Sequence, residues 1–167
     1  GAEKHPTTRG IKNGDIWGPS DVYGVRLPLP EGSQHIILGQ VTKRKGPRTN
    51  DIHFGLKPTD DEAVEGKKND PMMPVTWTKS YQVPGGKKGR VYTTTMGSST
   101  DFVVEGSRRM MVNGVYWLLD LEIPTGGTKV DLPGKFDPKE YSFRSKDYWP
   151  KQNKRPGDFR LKRQKKK

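Results

Sequence analysis

The sequence predicts an α/β fold in which several short strands, joined by tight turns, accompany one amphipathic helix. Three observations carry that expectation. The chain has 167 residues, the length of one domain or of part of a larger one. Its 20 glycines and 14 prolines, about a fifth of all residues, argue against a helical bundle and for strands punctuated by turns. Two segments show clear and different periods: a two-residue alternation over 75–96 and a three-and-four spacing up to Asp120. With 29% hydrophobic residues, the chain holds enough apolar surface for one modest core under much loop.

Each element follows from its own residues. Gly1–Asn13 reads as a leading loop with a turn at Asn13-Gly14. Asp21–Leu29 alternates weakly and runs into Pro28 and Pro30, which predicts a short edge strand. His35–Val41 is a better strand, closed by the basic turn Lys43–Arg48. No period holds from Arg48 to Pro74, so a long loop is expected, with Asp60, Asp61, Glu62 and Glu65 facing solvent opposite Lys67 and Lys68. Val75–Val83 alternates Val75, Trp77, Lys79, Tyr81 and Val83 against Thr76, Thr78, Ser80 and Gln82. The turn Pro84–Gly89 then leads into Arg90–Met96, which completes a β-hairpin. Met110, Met111, Gly114, Val115, Leu118 and Leu119 mark the helix; Ser99 or Thr100 suits its N-cap, and Asp101 and Glu105 complement its dipole. Pro124 and Gly126-Gly127 stop it. Beyond Lys129, residues up to 158 read as an extended segment whose aromatics dock singly, and 159–167 as a disordered basic tail.

Charge and composition narrow the function classes. The net charge of +12 is mostly terminal, because residues 151–167 hold nine Lys/Arg against Asp158 and the remainder carries only +4. A tail of that kind is ordinarily solvated or makes a nonspecific polyanion contact. No cysteine is present, which excludes disulfides, zinc–thiolate sites, iron–sulfur clusters and a thiol nucleophile within this chain. No apolar run approaches 18 residues, so no membrane-spanning helix and no membrane partner is expected. His5, His35 and His53 lack ligand spacing, and neither a phosphate-binding loop nor a Gly-x-Ser-x-Gly elbow occurs, so no metal or cofactor is evident.

The residues that could carry chemistry are few. Gly97-Ser98-Ser99-Thr100 offers backbone N–H groups and hydroxyls where a strand opens into a helix, a place suited to an anion or a sugar hydroxyl; simple helix capping is the plainer role. Asp21 stands at the mouth of the first expected strand, as an acid/base group or as a turn-making carboxylate. His5, in a loop before Pro6, is a candidate base or a capping group. Trp17, Tyr23, Trp77, Tyr81 and Trp117 could form a platform for sugar rings or could pack in the core.

Several blocks resemble the ThuA-like (trehalose utilisation) family, and its planctomycete-type members most closely. They are His5-Pro6 with Gly10-Ile11, Trp17 to Tyr23, Leu27 to Pro30, Lys68 to Lys79 with its Asn-Asp-Pro-Met-Met-Pro core, Gly89 to Gly97, Arg108-Arg109, and Asn113 to Trp117. The resemblance spans about residues 5–150. It implies a class I glutamine amidotransferase-like, flavodoxin-like three-layer sandwich, of which residues 1–128 are the C-terminal portion. The N-terminal βα units of such a domain would then be a partner in the same protein. It also implies binding of, or action on, a carbohydrate such as trehalose or a keto-glycoside, by hydrolase or lyase chemistry if the protein is an enzyme. Asp21, His5 and Tyr23 would be the catalytic candidates, and Ser98, Ser99, Thr100, Trp77 and Lys79 the substrate contacts. Two departures bear on this reading: Ser98 stands where the family commonly has a His, and the family's Asp-Glu-x-Tyr becomes Ser20-Asp21-Val22-Tyr23 without the glutamate. Amidotransferase chemistry is excluded for this chain by the missing cysteine. The competing expectations are a noncatalytic interaction or scaffold domain of a larger protein, and a nucleic-acid module driven by the Lys-rich tail.

Overall fold

A computed structural model describes residues 2–140 and 142–160; Tyr141 and most of the basic tail, 161–167, lie outside the described residues. The structure mixes helix and strand, as an α/β chain should. Three antiparallel strands, β1 (Ser33–Gly39), β2 (Met73–Tyr81) and β3 (Gly89–Thr94), form one sheet with β2 in the centre. The β2–β3 hairpin holds a regular register from Thr76↔Thr94 to Tyr81↔Gly89. Its alternation and the Gly-rich turn both specify that pairing. The β1–β2 ladder is irregular between His35, Ile37 and Leu38, which re-aims the strand around the buried Ile36.

Helix α1 (Glu105–Leu118) lies on the face of the sheet that carries Thr76, Thr78 and Tyr92. The threonine side of the β2 alternation is therefore the one that meets the helix. Thr76 Oγ1 donates to Met110 Sδ at 3.3 Å, and the Tyr92 hydroxyl donates to the Met110 carbonyl at 3.2 Å. Met110 is fully buried, and removing its side chain from water contributes about 2 kcal/mol. Gly114 lets the helix approach the Tyr92 ring, because a Cβ there would stand 2.6 Å from it. Burial raises the Tyr92 phenol above the ordinary tyrosine range.

The other face of the sheet corrects one expectation. Asp21–Leu29 is not an edge strand and contains no regular element. Pro28 and Pro30 supply no N–H for a ladder, and the segment instead crosses the sheet. Val22 sits against Gly39 and Val75, Val25 N–H points to Met73 Sδ at 3.4 Å, and Lys79 Nζ donates to the Glu31 carbonyl.

Other boundaries also shift. The expected helix start is a separate 3-10 turn, Asp101–Val103, and Val104, with extended φ and ψ, divides it from α1. The segment over 129–158 is extended for most of its length but contains a short helix, α2 (Tyr148–Gln152), followed by a 3-10 turn at Pro156–Phe159. Within the long loop, Thr42 bridges Ala63, and Asp60 is buried rather than solvent-facing. Its carboxylate accepts from the Lys45 and Lys57 backbone N–H groups at 3.2 and 3.0 Å, while Asp61 and Glu62 pair with Lys45 and Lys43 rather than with Lys67 and Lys68.

A buried amide fastens the leading loop to α1. Asn113 Nδ2 donates to the Thr7 and Arg9 carbonyls at 3.0 and 2.9 Å, and its Oδ1 accepts from Thr128 N–H and Oγ1 at 3.1 and 2.9 Å. All four hydrogen bonds of the amide are thus made inside the protein. Arg108 and Arg109 add bonds to the carbonyls of Val130 and Thr128, and Gly10 must be glycine because its φ is +70° and a Cβ would collide with the Gly126 carbonyl.

Candidate ligand-binding cleft

The segment between β3 and α1 is built around Asp101, which is fully buried. Its Oδ2 accepts from Ser20 Oγ at 2.6 Å, Ser98 N–H at 2.9 Å and Gly97 N–H at 3.1 Å. Its Oδ1 has no hydrogen-bond partner and faces Gly18, where a Cβ would stand only 2.8 Å away. One carboxylate therefore clamps the 18–20 loop to the 97–98 turn. Neither Ser99 nor Thr100 caps a helix through its side chain. Thr100 Oγ1 instead lies 3.1 Å from Ser98 Oγ, and Ser99 Oγ donates to the Lys139 carbonyl at 3.0 Å.

That last bond brings the extended C-terminal segment alongside, and the result is a cleft of about 160 Å³ lined by Pro19, Ser20, Phe54, Ser98, Thr100 and Glu140. Phe54 is held by a turn in which it and Gly55 take left-handed φ values of 54° and 80°. Asp51 organises that turn by accepting from the His53 and Gly55 N–H groups and from the Thr49 hydroxyl. The Thr49 bond, followed by the two backbone bonds, holds the Asp51 carboxyl below its usual range. His53 packs edge-on against Trp17 with centroids 4.6 Å apart, and its Nε2 lies 3.4 Å from the Thr100 carbonyl. Three hydroxyls, one exposed carboxylate and one aromatic ring thus converge on the cleft, a set that can exchange hydrogen bonds with a polyhydroxylated ligand while offering an apolar face.

The sequence candidates fall in different places. Ser98 and Thr100 line the cleft, and Ser99 ties its outer wall. Asp21 adjoins Ser20 but is exposed and outside the lining, as is Tyr23. Trp77 and Lys79 stand on β2, Trp77 half-buried between His35 and Thr93 in the register, and Lys79 bonded to Glu31. His5 caps the turn Pro6–Thr8, its Nδ1 accepting from Thr7 N–H at 3.3 Å, with its ring 5.3 Å from that of Trp117. Burial lowers its pKa. Trp117 lies near the far end of α1, about 18 Å along the axis from Glu105 at a rise of 1.5 Å per residue. The structure does not bring His5 to the cleft. Sequence reasoning missed Ser20, Phe54 and Glu140 in the lining, and Asp101 as the carboxylate that holds Ser20. A clue was available only for Asp101, an acidic residue directly after Ser98-Ser99-Thr100.

A larger cavity, about 260 Å³, occupies that far end between Pro6, Arg9, Arg90, Trp117, Asp120 and Ile123. Its arginines are engaged in holding the helix end: Arg9 donates to the Ile123 carbonyl, and Arg90 Nη1 reaches the Trp117 carbonyl at 2.7 Å and Asp120 Oδ1 at 2.9 Å. Among the described residues, no group of three or more His, Asp or Glu is placed to hold a metal ion. Among the same residues, no helix is long and apolar enough to cross a membrane. No family profile, curated protein or solved structure matches the chain.

Proposed function

We propose that this chain is the carbohydrate-binding portion of a ThuA-like domain, and that it seats a sugar or closely related polyol, such as trehalose or a keto-glycoside, in the cleft between the 18–20 loop and the α1 entrance. The observation that carries the reading is the convergence of Ser20, Ser98, Thr100 and Glu140 beside Phe54, with Ser20 and Ser98 held by one buried carboxylate. Ser20 donates its proton to Asp101, so it presents lone pairs to a ligand and accepts from a ligand hydroxyl. On the ThuA-like resemblance, the sheet would belong to a flavodoxin-like three-layer sandwich completed by additional βα units of the same protein.

A noncatalytic binding role is the second reading, and the placement of His5 and Asp21 favours it. They lie outside the lining, whereas Glu140 is the one titratable residue within it. Any acid/base step would then run through Glu140 rather than Asp21.

The test is a ¹⁵N-correlation titration of the full chain with trehalose, glucose and 3-keto-glucose. Saturable shifts confined to residues 18–20, 53–54, 97–101 and 140 are expected for at least one sugar, and a Ser98→Ala/Thr100→Val double variant should lose them. Shifts centred elsewhere, none with any sugar, or unaltered binding by the double variant would overturn the proposal.

A further inference from the structure

We propose that residues 142–160 form a docking segment for single-stranded nucleic acid, with bases stacking on Trp149 and Phe159 and phosphates meeting the cations around them. The segment is independent of the sugar cleft. It carries six cations (Arg144, Lys146, Lys151, Lys154, Arg155 and Arg160) against only Asp147 and Asp158. Both carboxylates are engaged locally: Asp147 faces Lys151 at 3.8 Å, and Asp158 accepts from the Arg155 backbone N–H at 2.8 Å. The sequence beyond 160 adds five further Lys/Arg without an acid.

Charge alone describes a polyelectrolyte contact that any polyanion satisfies. The aromatic side chains add something different. Trp149 is 67% exposed and Phe159 72% exposed, although burying either ring would be strongly favourable. Each stands among cations, Trp149 between Lys146 and Lys151 and Phe159 between Arg155 and Arg160. Trp149 is also steadied edge-on by Tyr148, with ring centroids 5.0 Å apart, and Arg144 lies over the Tyr148 ring. Exposed planar rings alternating with cations match a ligand that alternates planar bases with phosphates. An anionic membrane surface fits less well. It calls for aromatics and cations segregated on two faces of one long helix, whereas α2 spans five residues and Phe159 lies in a separate turn.

The experiment uses the full chain and three probes: fluorescein-labelled dT15, an abasic 15-mer of the same charge, and vesicles containing 30% phosphatidylserine. Anisotropy in 50–200 mM NaCl should show dT15 bound at least tenfold more tightly than the abasic strand. Trp149→Ala and Phe159→Ala should each weaken dT15 binding by roughly 5- to 150-fold, the range for loss of one stacking ring. Neither should alter abasic binding or the slope against salt. Lys154→Gln/Arg155→Gln should reduce that slope by about 1.4, from 0.7 per phosphate contact on a single strand. Both rings are exposed, so the variants keep the fold, which circular dichroism checks. Equal affinity for dT15 and the abasic strand would overturn the proposal, leaving a polyelectrolyte contact only. Absent dT15 binding at 50 mM NaCl, or tight vesicle binding that dT15 does not compete away, would overturn it as well.

Discussion

Replacing Asp101 tests whether one buried carboxylate sets the geometry of the cleft. Asp101→Ala removes the acceptor for Ser20 Oγ, Gly97 N–H and Ser98 N–H, whose distances to Oδ2 are 2.6, 3.1 and 2.9 Å. Hydrogen bonds to a charged group contribute about 1.5–3 kcal/mol each. Gly97 is exposed and regains water, and the Ser20 hydroxyl can turn outward, so only part of that sum is lost. We expect a destabilisation of about 3–4 kcal/mol, from the desolvated Ser98 N–H, the freed loops and the space left beside Gly18. With a urea m-value near 2 kcal/mol/M, the midpoint should fall by roughly 1.5–2 M at unchanged m. Asp101→Asn separates charge from shape. Its oxygen can replace Oδ2, but its NH₂ then occupies the Oδ1 position against Gly18, where no acceptor faces it, at a cost of about 1–3 kcal/mol. Ser20→Ala removes a single bond and should cost about 1–2 kcal/mol. The predicted order of midpoints is wild type, Ser20→Ala, Asp101→Asn, Asp101→Ala. Urea unfolding followed by tryptophan fluorescence measures it. An Asp101→Ala midpoint within 0.3 M of wild type, on the order of 0.6 kcal/mol at that m-value, would refute the clamp.

Two further outcomes follow from the far end of α1. Asn113→Leu is close in size but leaves the Thr7 and Arg9 carbonyls and the Thr128 N–H without partners; it should cost about 3–5 kcal/mol, read from the same urea curves, and a loss below about 1 kcal/mol would contradict the four-bond account. Burial holds the folded-state pKa of His5 below the ordinary value of about 6.5, so the folded protein disfavours its protonation. The unfolded chain then binds more protons between the two pKa values. The contribution of neutral His5 is therefore fully present above about pH 6.5 and is lost as pH falls from there toward the folded pKa. An NMR titration of the His5 ring should place its midpoint below that of a model peptide, and His5→Asn should flatten the pH dependence of stability just below 6.5.

The elements with a short-range cause were legible in the sequence. The β2–β3 hairpin has its alternation and its glycine-rich turn within one short stretch, Met73 to Thr94, and α1 has its apolar spacing within another. Their ends moved by one to four residues, because neighbouring packing decides where a ladder or helix stops. The failures share a long-range cause. Asp101 reads as an acidic residue in a first helical turn, and its actual partner, Ser20, is 81 positions away. Asp60 reads as one of four solvated acids, yet two backbone N–H groups bury it alone. Asp21–Leu29 has enough alternation for a strand, but its partner is the sheet face around Val75 and Gly39, distant in sequence, against which Val22 packs.

Two buried polar side chains, Asp101 just before α1 and Asn113 within it, fasten one continuous stretch of leading loop. Asn113 holds the carbonyls of Thr7 and Arg9, and Asp101 holds Ser20. A core with few large apolar residues can keep such a loop in place because polar groups with complete sets of partners specify one position, where interchangeable apolar contacts would allow several. The two fastenings differ in kind. Every polar atom of the Asn113 amide is satisfied, whereas Asp101 leaves one oxygen unpartnered beside the cleft wall. Asn113 is thus a structural anchor, and Asp101 combines anchoring with the placement of Ser20 and Ser98. Loosening Asn113 with a milder substitution such as Asn113→Ser should lower stability yet leave sugar-dependent shifts at 18–20 and 97–101 intact below the unfolding transition. Asp101→Ala, which removes the acceptor for Ser20 and Ser98, should remove those shifts under conditions where the variant is still folded. The reverse pattern would mean that the cleft depends on overall loop stability and not on the carboxylate that reaches it.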